Sequence, residues 1–424
     1  MKRMVVCLAL ILFTFLSNKA DAMEMDYSYG GDLRFRAFYR EVDLSFDGND
    51  KKTRGIYQLR GRLFSTLNLF EEMLEVHGQI RKPYFFGDNY ADYLNNSRVE
   101  IDLAYLKLNH IFDWPVEITL GKQELLYGEG FLTGDRDVFR DFIEDDPENF
   151  TAIKARYLRD QLTVDAFYSR VYDSHGEPGN VGDNDFAGLV ALYEFSPENT
   201  IEPYLFLDDD SSRKLHNHPN SDRVWILGCR ATGEISENFY LKAEGCYQWG
   251  DFNTASFSHL GLAERDYKAW GGYVGGEYHI PSEYSPSLAL TLINLSGEEY
   301  PDSGDYNAFH PLFRSERFGE LHTKYTEENR MIVRSAFKCQ PADKVDFLLE
   351  WFHYRANEKP LDRNGKHDGD EIDLRLNYEY NERLSFGLFA GWFIPGDYWP
   401  GTTITRACGE DVKTQVMGEV TFKF

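Results

Sequence analysis

The chain has 424 residues, a formal charge of −25 and 16% aromatic residues, including 27 Tyr and 32 Phe, with a mean hydropathy of −0.50. The acidic balance disfavours nucleic-acid binding, because a phosphate backbone seeks Lys and Arg. After the first residues no stretch approaches the ~20 apolar residues of a spanning helix, yet so many rings in so polar a chain suit a sheet with one greasy and one wet face.

The N-terminal MKRMVVCLALILFTFLSNKADA carries two early basic residues, an apolar run from Met4 to Leu16, and Ala20-Asp21-Ala22. This is the pattern of a secretory signal with an Ala-x-Ala cleavage site. The expected division is a signal peptide at 1–22 and one domain at 23–424, exported from the cytoplasm. Met23 rather than Cys follows the expected cut, so no lipid anchor is predicted.

From Leu33 onward the chain alternates. Leu33, Phe35, Ala37 and Tyr39 stand against Arg34, Arg36 and Arg40, and Leu59, Gly61, Leu63, Ser65 and Leu67 against Arg60, Arg62, Thr66 and Asn68. After Glu71-Glu72 the rhythm resumes at Leu74, Val76, Gly78 and Ile80. Period two marks strands with one apolar face. Further strands are predicted near 97–109, 115–125, 150–158, 161–171, 185–195, 199–207, 222–233 and 237–249. The remainder fall near 267–279, 286–295, 330–338, 343–355, 370–380, 382–393 and 411–424, making eighteen. Short connections alternate with long ones without exception. Long connections are expected at 41–54, 82–96, 126–149, 172–184, 208–221, 250–266, 296–329, 356–369 and 394–410.

An even strand number, with loops sorted by length, predicts an all-β fold: a transmembrane antiparallel β-barrel of about 18 strands. Its short turns would be periplasmic and its long loops extracellular, in the outer membrane of a bacterial cell. The last strand ends QVMGEVTFKF, with Phe424, Phe422, Val420, Val416 and Val412 on one face. That strand is expected to close the barrel and to present Phe424 to the barrel assembly machinery. Outer-membrane lipid and lipopolysaccharide are the expected surroundings of the apolar face. Eighteen strands leave room for an aqueous channel.

With the apolar set turned to lipid, parity sends the basic residues Arg34, Arg36, Arg60, Arg62, Arg81, Lys122, Lys154, Arg156, Arg334 and Arg375 into the lumen. Arg230, Lys242 and Lys338 follow the same parity. Acids including Glu75, Glu117, Asp165, Glu202, Glu244, Glu350, Glu371 and Asp373 are also inward. The arginines of the first three strands form a positive ladder suited to an anionic or carboxylated solute, because the guanidinium fork pairs bidentately with carboxylate. The competing reading is mutual neutralisation of Arg and Glu across neighbouring strands.

The long loops are acidic. GDRDVFRDFIEDDPENF holds Asp135, Asp137, Asp141, Glu144, Asp145, Asp146 and Glu148, and 296–329 is also rich in acids. Two readings stand: a solvated outer surface, or an inward plug, gate or cation-binding loop. His216-Asn217-His218 reads as surface loop ahead of metal site. No catalytic, phosphate-binding or zinc-type motif occurs, and His353 lies alone on an outer face, so neither an enzyme, a cofactor nor a metal is expected. Cys229 points out and Cys246 in, so that pair is not expected to bridge.

LGKQELLYGEGFLTGDRD, residues 120–137, resembles the alginate export family of outer-membrane barrels. Gly121-Lys122-Gln123-Glu124-Leu125 and Tyr127-Gly128 match its pattern, with Lys122 where Arg is usual. Leu33-Arg34-x-Arg36 and the LRGRL around Arg60 and Arg62 are also similar. The resemblance implies an eighteen-stranded barrel with a positive pore that passes a polyuronate or another acidic solute. Its pore-lining arginines carry over to Lys122, Arg60 and Arg62. The expected function is therefore a porin for anionic solutes, an acidic polysaccharide such as alginate among them. The alternative is a barrel-anchored surface protein whose acidic loops bind cations or a partner.

Overall fold

A computed structural model describes residues 25–43, 51–87, 99–109, 114–134, 149–171, 184–210, 222–252, 265–298, 304–322, 328–359, 365–398 and 412–424. Eighteen strands follow in chain order: β1 (Met25–Asp43), β2 (Lys51–Leu69), β3 (Leu74–Gly87), β4 (Glu100–Leu108), β5 (Val116–Gln123), β6 (Phe150–Arg159), β7 (Leu162–Val171), β8 (Asn184–Glu194) and β9 (Thr200–Asp210). Then come β10 (Asp222–Ser236), β11 (Phe239–Phe252), β12 (Arg265–His279), β13 (Ser287–Leu295), β14 (Arg330–Ala342), β15 (Val345–Ala356), β16 (His367–Asn381), β17 (Leu384–Pro395) and β18 (Lys413–Lys423). Each strand pairs antiparallel with its chain neighbours, and β1 pairs with β18, so the sheet closes on itself. Closure leaves no edge, which is what lets a sheet sit in hydrocarbon.

All eighteen predicted strands are present. The first hairpin is taller than its alternation suggests: β1 starts at Met25 rather than Leu33 and β2 at Lys51 rather than Tyr57. Pairing runs from Met25↔Leu69 to Asp43↔Lys51, so ladder hydrogen bonds extend the strands beyond their patterned residues. At the short-turn end, Asp160 (φ 51°) and Lys344 (φ 62°) take left-handed turn positions. At the seam, Gly31 and Phe424 exchange backbone hydrogen bonds of 3.0 Å. A Cβ at Gly31 would lie 2.4 Å from the Arg62 carbonyl oxygen.

The outer wall is apolar. Leu33, Leu59, Leu63, Ile101, Leu189, Leu227, Leu290 and Leu388 are exposed on it. Rings gather towards both ends. Trp225, Trp249, Trp351 and Trp392 lie towards the long loops, with Trp225 stacked on Trp249 at 6.5 Å. Tyr27, Tyr29, Tyr278 and Tyr380 lie towards the short turns. A continuous greasy belt between two aromatic girdles is the outer surface of a membrane barrel. Cys229 is exposed and Cys246 buried; neither they nor Cys339 form a disulfide. Cys408, His216 and His218 lie outside the described residues, as does the acidic run 135–148.

Candidate functional site: an arginine wall facing an inward plug

The inward face of β1–β3 is crowded with guanidinium groups. Register places Arg34 directly across from Arg60, and Arg62 directly across from Arg81. Like charges in directly opposed positions oppose pairing. Asp32 offsets part of this, accepting from Arg60 at 3.2 Å and from Arg62 at 2.6 Å. Neighbouring strands supply the other partners: Glu100 of β4 lies 3.1 Å from Arg81, and Glu419 of β18 pairs with Arg36. Arg34, Arg60 and Arg81 are packed into this network, only 5%, 3% and 2% exposed. The side chain of Arg62 is more open, at 31%.

Elsewhere in the lumen Arg156 forms a bidentate pair with Asp165 (2.7 Å to both oxygens). Arg334 lies 2.6 Å from Glu350. Arg375 lies 2.6 Å from Glu320. Lys154 shares the lumen face of Arg156 on β6. The inward faces of these strands therefore carry paired charges of both signs.

Lys122 is the exception. The pairs Gly121↔Ala152, Lys122↔Thr151 and Gln123↔Phe150 keep period two unbroken. Lys122 therefore shares the face of Ile118 and Leu120, on the outer wall. Its ammonium donates to the carbonyl of Ile101 at 2.7 Å, a long side chain reaching along apolar surface for a polar partner. It does not line the pore.

The motif around Lys122 has another role: there the chain leaves the wall. Gly121 has φ 125°, and a Cβ would meet the Ala104 carbonyl oxygen at 2.3 Å. The Gln123 amide is buried and donates to the carbonyls of Thr119 (3.2 Å) and Ala152 (3.0 Å). Residues 124–134 then fold into the barrel, and the Tyr127 hydroxyl donates to Asp165 at 3.1 Å.

A second loop segment, 304–322, joins them. Thr133 and Phe313 form a parallel bridge. Phe313 donates to the Leu132 carbonyl (2.9 Å), and Ser315 donates to that of Gly130 (2.8 Å). Phe131, Phe309, Phe313 and Phe318 are buried against rings on the inward face of the wall. Phe313 sits 4.9 Å from Phe186 and perpendicular to Phe150 at 5.1 Å. Among the described residues this apolar cluster takes wall residues from β6 to β17 and none from β1–β5. Of the two loop readings, the inward one holds for residues 304–322.

The trailing end of the plug is pinned by carboxylates of β16: Asp373 accepts the Glu320 N–H at 3.2 Å, Asp368 meets the His322 ring at 2.9 Å, and Glu371 takes the largest share. Glu371 on β16 accepts the backbone N–H groups of Glu320 (2.6 Å), Leu321 (2.7 Å) and His322 (3.0 Å). The Tyr354 hydroxyl donates to it at 3.2 Å. The polar rim of the plug is held by ion pairs. Glu129 pairs with Lys242 and lies 3.7 Å from Arg230. Glu320 also pairs with Arg317. Burial raises the Glu320 carboxyl, but Arg317 and Arg375 outweigh it and hold the group below its ordinary value. Glu316 goes the other way: burial, reinforced by nearby Glu129, pushes it up to about 7.

Sequence reasoning missed Glu371 as an anchor, and Glu129, Glu316 and Glu320 as plug residues. A signal was present. Phe150, Phe167, Phe186, Phe206, Phe352 and Phe393 occupy inward positions where a wet lumen calls for polar side chains. Apolar residues on the wet face of neighbouring strands mark a wall that something covers.

The chain matches the family model described as Alginate export over residues 27–407. None of the curated proteins matches it. Among solved structures it is similar to a BenF-like porin from Pseudomonas fluorescens, at 11% identity and a TM-score of 0.59, covering 94% of this chain and 98% of that one. It is likewise similar to Pseudomonas aeruginosa OccK2 (OpdF) in complex with glucuronate, at 13% identity and a TM-score of 0.57, and to Pseudomonas aeruginosa OpdK with vanillate, at 12% and 0.57; each covers 94% of this chain and 98% of the other. At such identities the likeness is one of fold. With a family match across almost all of a closed, lipid-belted, eighteen-stranded sheet, the chain belongs to the Alginate export family of outer-membrane β-barrels.

Proposed function

We propose that this barrel is a channel for acidic solutes of the uronate type, drawn through the lumen by the arginines of β1–β3. The observation that carries this reading is the cross-strand register Arg34↔Arg60 and Arg62↔Arg81. A purely structural wall gains nothing from opposing like charges, each pair costing up to about 1 kcal/mol. A surface that must attract carboxylates does gain, because low-dielectric walls focus the field of such a row. The plug supports the same reading. Among the described residues its apolar cluster takes wall residues from β6 to β17 and none from β1–β3. Two solved neighbours hold glucuronate and vanillate, both carboxylates. Lipid and lipopolysaccharide would surround the apolar belt, and the strand ending in Phe424 would engage the assembly machinery.

Reversal potential across a planar bilayer in a salt gradient tests this. The wild-type channel should prefer anions, and oligouronates should block it. Arg60→Ala with Arg62→Ala should shift the potential towards cation preference. Lys122→Ala, on the outer wall, should leave it unchanged. Unaltered selectivity in the double variant would remove the arginine wall from the mechanism. The anchor-only alternative is separated by deleting residues 302–325: a plugged channel gains conductance, whereas an anchor loses only partner binding.

A further inference from the structure

We propose that His353, His367 and Asp370 form a divalent-metal site on the outer wall of the barrel, of the zinc class. His353 does not stand alone on its face. Its Nδ1 lies 3.0 Å from Asp370 Oδ1, and His367 Nε2 lies 3.0 Å from Asp370 Oδ2. One ligand atom from each of the three falls within 4.8 Å of the others. Two metal bonds of about 2.1 Å at tetrahedral or octahedral angles separate their donors by roughly 3.0–3.4 Å. Each imidazole nitrogen thus stands at such a separation from one oxygen of the shared carboxylate. Two imidazoles with one carboxylate suit Zn²⁺, Cu²⁺ or Ni²⁺ and suit Mg²⁺ or Ca²⁺ poorly.

The backbone is bent to make this cluster. Simple alternation on β16 would send His367 and Asp370 to opposite faces. A bulge intervenes: Tyr354 pairs with Gly369 and Arg355 with His367, so Asp368 is skipped. Gly369 takes φ 153° within it. Asp368 turns inward, where it is fully buried beside Arg330 and His322. His367 emerges on the outer face, with its ring 5.0 Å from that of His353 and nearly parallel. Bulges re-aim side chains in this way at functional positions.

His367 is also fixed from behind. Its backbone N–H donates to Asp397 at 3.0 Å, and its carbonyl accepts from Tyr398 at 2.8 Å. All three side chains are partly exposed, at 33%, 42% and 26% in chain order, so an ion can enter. The site lies at the long-loop end of β15 and β16, beside the girdle residue Trp351. Three protein ligands leave coordination positions open to water.

The test is calorimetric titration of the full-length barrel with Zn²⁺, after chelator stripping, in a phosphate-free maltoside detergent. One Zn²⁺ per chain should bind, and Co²⁺ should give visible absorption bands of a nitrogen–oxygen site. His353→Ala and His367→Ala should each weaken binding at least tenfold. Asp370→Asn, which keeps the side-chain shape, should do the same. Heat-modifiable migration in gels confirms that each variant is a folded barrel. The proposal is overturned if Asp370→Asn binds Zn²⁺ as tightly as wild type. It is equally overturned if binding disappears on His216→Ala with His218→Ala and persists in the other variants.

Discussion

Replacing Glu371 by Ala should loosen the trailing end of the plug without emptying the lumen. The carboxylate accepts three consecutive amide protons at 2.6–3.0 Å. A hydrogen bond to a charged group contributes roughly 1.5–3 kcal/mol. Lumen water replaces part of what is lost, leaving a net cost of about 3 kcal/mol, or on the order of a hundredfold in the docked-to-undocked ratio. Against this stand Phe309, Leu312 and Phe313, all buried upstream of that end. At ~1.5–3 kcal/mol each, they contribute roughly 5–9 kcal/mol to docking. The apolar part therefore stays in place, and only the strip around residues 317–322 should detach.

Two measurements read this. Single-channel records in planar bilayers should show more frequent excursions to a higher conductance, with the main level near wild type. Limited trypsin digestion of the folded barrel should cut after Arg317, as identified by peptide mass. Glu371→Gln keeps one carbonyl acceptor and should fall between the two. Wild-type gating together with a protected Arg317 in Glu371→Ala would refute the anchor. A fully open channel would refute the weight assigned to the apolar cluster.

Two further outcomes follow from the same geometry. Glu316 is raised to about 7 by burial and by Glu129, so its neutral form fits the docked plug. That stability is complete below the ordinary carboxylate range and is lost as pH rises through about 7. Open probability should therefore climb between about pH 5 and about pH 8, and Glu316→Gln should flatten the profile. A flat wild-type profile would count against it. Gly121→Ala forces a side chain onto φ 125° and against the Ala104 carbonyl, a strain of about 1–3 kcal/mol. The temperature at which the barrel loses its heat-modifiable form should drop by several degrees. Gly78→Ala, where nothing lies within 4 Å of the added carbon, should not lower it.

The strands were readable because membrane and water impose one rule at every second residue, and that rule is local. Arg34, Arg60, Arg62 and Arg81 obey it, and their side of the wall follows from parity alone. Lys122 broke the inference because its type was given more weight than its position. It sits two residues from Leu120 on the lipid face, and its length lets the ammonium reach a carbonyl. The plug was not readable in this way. Its folding depends on contacts between segments far apart in the chain, such as Thr133 with Phe313 and Leu321 with Glu371. The acidic residues of 296–329 suggested a solvated loop, yet the same segment holds Phe309, Leu312, Phe313, Phe318 and Leu321. Those apolar residues, matched to inward Phe on β6–β9, were the stronger signal. The histidine site was hidden for a related reason: a bulge at Asp368 inverts the parity on which the strand reading relied.

On the proposed reading, selectivity and gating belong to different parts of this molecule. The arginine wall is built on β1–β3, where ladder hydrogen bonds set the register and cross-strand ion pairs hold Arg36, Arg60, Arg62 and Arg81. The plug is built from loop segments that leave the wall at Gly121 and return against Glu371. Among the described residues the apolar cluster includes none from β1, β2 or β3. Among the described residues the hydrogen bonds and ion pairs named for the two have no partner in common, and separated sites of that kind respond additively to substitution. Arg60→Ala with Arg62→Ala should therefore change ion preference while leaving Arg317 protected from trypsin. Glu371→Ala should expose Arg317 and leave the reversal potential where it was. Combining all three substitutions should give the sum of the two effects. A strong coupling between them would mean that the plug itself rests on the arginine wall, and that a solute entering along that wall displaces the plug.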